Sequence, residues 1–87
     1  IAGCVIARQR PGTAKGFVFI SMEDETGIAN VIVAPHLFER ERLTVTRSKF
    51  LLAEGPLQNV DGVIHVKAVR LRTLSSQQLA VHSHDFH

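Results

Sequence analysis

From Phe17 to Val33 the chain alternates apolar and other side chains with a period of two, breaks at Asp24-Glu25-Thr26-Gly27, and alternates again. A period of two marks a strand with one face on a core. Gly27, after three polar residues, offers the positive φ that tight connections between antiparallel strands require. Parity sorts the side chains of this hairpin. Val18, Ile20 and Met22 are expected inside, with Ala29 and Val31 beside them on the returning strand. Phe17, Phe19, Ser21 and Glu23 are then left outside, and Asn30 emerges next to Phe19.

The rest of the chain supplies partners for this hairpin. Ile1 to Arg8 is a β-branched stretch stopped by Gln9-Arg10-Pro11-Gly12-Thr13, where Pro and Gly favour a turn. Ser48 to Gly55 and Val63 to Arg72 read as a fourth and a fifth strand. Pro56 to Gly62 connects them, with Asn59 and Asp61-Gly62 as turn residues. Pro35 opens a short helix through Leu43, and Leu37 and Phe38 form an apolar anchor able to plug an open barrel end. Short antiparallel strands need mutual closure to remove their edges. Three strands, a helix and two strands is the order of the OB barrel, so the expected fold is all-β: a five-stranded OB-fold Greek-key barrel with one short helix between strands 3 and 4. It is expected to span residues 1–73. Residues 74–87 form a tail in which Ser75 to Gln78 carries a helix-capping signal with room for a short helical turn.

Size limits what such a domain can do. Eighty-seven residues suit one core, and a chain of this length buries roughly 60 to 65% of its unfolded surface. The lone Cys4 excludes an internal disulfide and a cysteine-based zinc cluster, in keeping with a reducing cytoplasmic setting. No apolar run approaches the roughly 18 residues of a membrane span, so no membrane partner is expected. Glycine-rich nucleotide loops, GxSxG elbows and HExxH segments are lacking. Glu23-Asp24-Glu25 is a carboxylate run, but neighbours along a strand and turn point different ways and read as turn formers rather than ligands. His82, His84 and His87 lack a fourth ligand and a rigid frame. Cys4, on a strand, has no partners for nucleophilic work. No catalytic residue, metal or cofactor is expected, and the fragment is expected to be monomeric.

What remains is a binding surface. OB barrels hold ligands across their second and third strands, flanked by the first loop and the loop between strands four and five. Outward Phe17 and Phe19 can stack unpaired bases, each worth about 1 to 3 kcal/mol with little regard to base identity. The Asn30 amide can meet a base edge. Arg8, Arg10 and Lys15 lie in the first loop region, where cations can follow a phosphate backbone. The net charge is only +2, yet the calculated pI of 9.2 and the local placement of these residues favour an anionic partner. Single-stranded nucleic acid is the expected ligand. Two other readings use the same residues: docking of another protein through Phe17, Phe19 and Ile32, and anticodon binding of the kind seen in aminoacyl-tRNA synthetases.

The run Phe19-Ile20-Ser21-Met22-Glu23-Asp24-Glu25-Thr26-Gly27, followed by Asn30-Val31-Ile32-Val33, Pro35 and Phe38, resembles the OB domain of bacterial DnaE-type (family C) DNA polymerase alpha subunits. Arg8 to Gly16 and the terminal Asp85-Phe86-His87 are more similar to the error-prone branch. The resemblance implies a domain near the C-terminus of a polymerase used in translesion synthesis and damage-induced mutagenesis. Its barrel would contact single-stranded template, and its neighbours would be other polymerase domains and mutasome subunits. The family's metal-binding aspartates belong to a separate palm domain, so the resemblance carries no catalytic residue onto this chain.

Overall fold

In the computed structural model, residues 1–12 and 15–84 are described, with residues 82–84 described in their backbone only. Thr13, Ala14 and the Asp85-Phe86-His87 segment lie outside this range, as do the side chains of His82 and His84. The elements in chain order are β1 (Ala2–Gln9), β2 (Val18–Asp24), β3 (Gly27–Val33), α1 (Pro35–Arg40), α2 (Arg42–Arg47), β4 (Phe50–Glu54), β5 (Leu57–Val60), β6 (Val63–Lys67), β7 (Arg70–Leu74) and α3 (Ser76–His84).

All seven strands lie in one sheet of order β5-β6-β3-β2-β1-β4-β7. The expected count of five is therefore corrected to seven, and the extra strands come from bends rather than new crossings. The β4–β7 and β5–β6 ladders are both antiparallel. They are joined through Gly55-Pro56 on one side and Ala68-Val69 on the other. Together they form one long hairpin bent in the middle. Pro56 has no amide hydrogen to donate, which interrupts the ladder at the bend. Gly55 sits against the opposite strand so closely that a Cβ there would collide with the carbonyl oxygen of Lys67. Contrary to expectation, Pro56 to Gly62 is not simply a connector. Leu57–Val60 is a strand, and the turn is confined to Asp61 and Gly62, both at positive φ (53° and 82°) between paired Val60 and Val63. Such a two-residue turn matches the right-handed twist of its flanking strands.

The single expected helix is two. Glu41, at φ −115° and ψ 32°, ends α1 and precedes α2. Pro35 occupies the first turn of α1, where its missing amide hydrogen costs nothing. Leu37, Phe38 and, from α2, Val45 point into the core beside Val18, Ile20, Met22, Val31, Val33, Leu51 and Val66. Ile20, Val31 and Leu51 are wholly excluded from solvent, and each contributes about 1.5 to 3 kcal/mol of burial. The capping signal is realised. The Ser75 amide donates to the Gln78 Oε1 at 2.8 Å, and the Gln78 amide to the Ser75 Oγ at 3.1 Å. The tail thus begins a helix, α3, that packs near β1, β4 and β7. No helix among the described residues is long and apolar enough to cross a membrane.

Candidate nucleic-acid interface

The β2–β3 ladder sets the two faces of the sheet. Val18, Ile20 and Met22 face the core at 3%, 0% and 1% exposure. Phe19, Ser21 and Glu23 face the other way, opposite Ile32, Asn30 and Ile28. Phe19, Asn30 and Ile32 are half-buried, and neither Phe19 nor Ile32 belongs to the core cluster. Phe17, just ahead of β2, is also half-buried outside that cluster.

Neighbouring strands extend this face into rows. Gln9 of β1 pairs with Phe19, and Lys67 of β6 lies beside Ile32, giving a row Gln9, Phe19, Ile32, Lys67. The next row runs Ala7, Ser21, Asn30, His65, Gln58 across five strands. Among the described residues the side chains of Ser21, Asn30, His65 and Gln58 have no hydrogen-bonding partner within the chain. Their donors and acceptors are open to a ligand. His65 and Gln58 were not predicted from the sequence, since they join the row only through the parallel pairing of β3 with β6. Alternation over Val63–Lys67 separates His65 from core-facing Val66, but it does not reveal Asn30 as its neighbour.

The three cations of the first loop region separate. A β-bulge between Val5 and Ala7 inserts one residue into β1, so that Arg8 pairs with inward-facing Ile20 while Gln9 pairs with Phe19. Arg8 is thereby aimed away from the aromatic face. Its Nε donates to the Val45 carbonyl at 2.5 Å, and its Nη2 donates to the Ser48 carbonyl. These carbonyls lie at the C-terminal end of α2, where cations also complement the helix dipole. Arg10 places its guanidinium 4.8 Å from the Phe38 ring centre, and Arg42 approaches the same ring to 5.4 Å. Stacking on a ring leaves the in-plane N–H donors of a guanidinium available to a phosphate. Lys15 is exposed at φ 54°, followed by Gly16 at φ 88°, so the chain reverses there on its way into β2. Arg10, Lys15 and Lys67 form no ion pair among the described residues.

The remaining polar features have local structural employment. Asp24 Oδ1 accepts from the Thr26 amide at 2.8 Å, the Thr26 hydroxyl at 2.7 Å and the Gly27 amide at 3.0 Å, which fixes the hairpin turn. Cys4 is exposed on β1. A cleft of about 380 Å³ lies between the β2–β3 turn and the β5–β6 hairpin, lined by Ile1, Ala2, Asp24, Glu25, Thr26, Leu57 and Ile64. It contains none of the expected contact residues.

Comparison with known proteins gives this surface its context. No family model matches the chain. It is 49% identical over 77 residues to an error-prone DNA polymerase of Caulobacter vibrioides, a match covering 88% of the chain. It is 44% identical over 88 positions to one from Anaeromyxobacter dehalogenans, and 48% identical over 89 positions to one from Pseudomonas paraeruginosa, both covering the whole chain. The chain spans only 7 to 9% of the length of these relatives.

Proposed function

From a chain that belongs with the DnaE-type error-prone DNA polymerases as the homologue of one short segment of them, we propose that this domain is an OB-type barrel holding single-stranded DNA for such an enzyme. The nucleotidyl-transfer chemistry resides elsewhere in the parent chain. Its setting is synthesis across damaged template and damage-induced mutagenesis in the cytoplasm. Counting the bent hairpin as two long strands leaves five, with helices between the third and fourth and a parallel contact between the third and the last, in keeping with the OB order.

The observation that carries the reading is Phe19 beside Asn30. A half-buried ring and an amide without a partner among the described residues lie on the same outer face of one hairpin, away from the core. The ring supplies stacking and the amide supplies a base-edge contact. Phe17 adds a second ring, while Arg10 and Lys15 supply phosphate contacts on the β1–β2 side. Arg8 acts indirectly, by holding β1 to α2. The test is anisotropy of a labelled oligonucleotide against the wild-type chain and Phe19→Ala. Wild-type binding that weakens with the substitution supports the proposal, whereas equal affinities remove Phe19 from the interface.

A second reading has its own support. Ile28, Val60 and Val63 are 56%, 51% and 39% exposed and share the outer face at its far end. Exposed apolar side chains brought together in this way favour contact with another domain of the parent polymerase or with a mutasome subunit. Chemical-shift mapping separates the two. DNA would perturb the β1–β2 loop, β2 and β3, while a protein partner would perturb the β5–β6 hairpin. The names of the relatives favour DNA over the anticodon reading.

A further inference from the structure

We propose that Asn30 and His65 together read the edge of one base, so that the single strand is bound with a preference at that position rather than by stacking alone. This rests on the nucleic-acid reading above and adds a specificity-determining residue to it. The two residues are direct neighbours in the parallel β3–β6 ladder, where strands run about 4.8 Å apart. Both are half-buried, and among the described residues neither side chain has a hydrogen-bonding partner. Their polar atoms reach solvent rather than being sealed in the fold, so a base edge can take the place of water there. The amide offers donors and an acceptor, and the imidazole adds at least one donor.

The adjacent row supplies the platform. Phe19 lies one strand from Ile32, and Ile32 is two residues from Asn30 along β3. A base stacked on Phe19 would therefore turn its edge toward the Asn30–His65 row. Lys67, two residues beyond His65 along β6, stands where the following phosphate would pass. Sequence preference in single strands generally arises where an unstacked base meets such edge contacts.

Anisotropy titrations of the 87-residue chain with labelled oligo-dA, oligo-dC and oligo-dT at one salt concentration test this. The favoured homopolymer should bind about fivefold or more tightly than the weakest, the lower range for one good edge contact. His65→Ala and Asn30→Ala should each shrink that ratio below about twofold. His65→Gln, which keeps a donor and an acceptor, should restore a ratio with a changed order. Arg10→Ala should weaken all three alike. A ratio of affinities is unaffected by the fraction of protein that is folded, so a poorly folding variant cannot imitate the result. Equal wild-type affinity for the three homopolymers, or a ratio that survives both alanine substitutions, overturns the base-reading pair and leaves the binding function standing. No binding to any of them overturns both.

Discussion

Arg8 on β1 is bonded to the backbone of Ser48, just past the end of α2, and thereby ties the first strand to the helical segment at the mouth of the sheet. A second bond from the same guanidinium reaches the Val45 carbonyl. Hydrogen bonds from charged donors contribute about 1.5 to 3 kcal/mol each when well shielded. Partial exposure lowers that figure. Arg8→Ala is therefore expected to cost about 1 to 3 kcal/mol in urea denaturation while leaving the affinity of the folded fraction for oligonucleotide within about twofold. A large drop in affinity with no change in midpoint would place Arg8 on the phosphates after all.

Phe19 should behave in the opposite way. Because its ring lies outside the core cluster, Phe19→Ala should change stability by less than about 1 kcal/mol. Its effect on oligonucleotide binding should be about 1 to 3 kcal/mol, or roughly 5- to 150-fold in Kd. Paired melting and anisotropy measurements on one preparation check both halves.

Salt provides an independent measure of the cations. With Arg10, Lys15 and Lys67 on the phosphates, log K should fall against log salt concentration with a slope near about −2, at roughly −0.7 per contact for a single strand. Removing one contact by Lys15→Ala should reduce the slope by about 0.7. A slope near zero would mean that the β1–β2 loop does not touch phosphate.

The bend in the long hairpin depends on a residue without a side chain. A methyl group at Gly55 would collide with the Lys67 carbonyl, and the Val69 amide lies 3.2 Å from the same point. This is a backbone crossing, with the Val69 amide also donating to the Glu54 carbonyl at 2.7 Å. Gly55→Ala is expected to destabilise by about 1 to 3 kcal/mol, as overpacking generally does. An unchanged denaturation midpoint would show that the crossing can widen freely.

Sequence patterning was informative wherever structure is local. Alternation places Val18, Ile20 and Met22 in the core and Phe19 and Asn30 outside, and Ser75 and Gln78 disclose the start of α3. What escapes such reading depends on distant strands. The bulge between Val5 and Ala7 reverses the parity of β1 and turns Arg8 away from the aromatic face. No local pattern marks that extra residue. The two bends that convert five expected strands into seven occur where Gly55 meets Lys67 across the sheet. His65 is unremarkable until β6 comes to lie alongside β3.

Every residue of β5 is exposed, and among the described residues it pairs with β6 alone. With Pro56 interrupting the ladder behind it, β5 is an edge strand that can loosen while β6 stays paired with β3 and β4 with β7. Any polymer seated across Gln58 and His65 would thus rest partly on an edge strand and partly on a strand held from both sides. Pinning β5 against β6 would itself tighten attachment without a single new contact to the ligand.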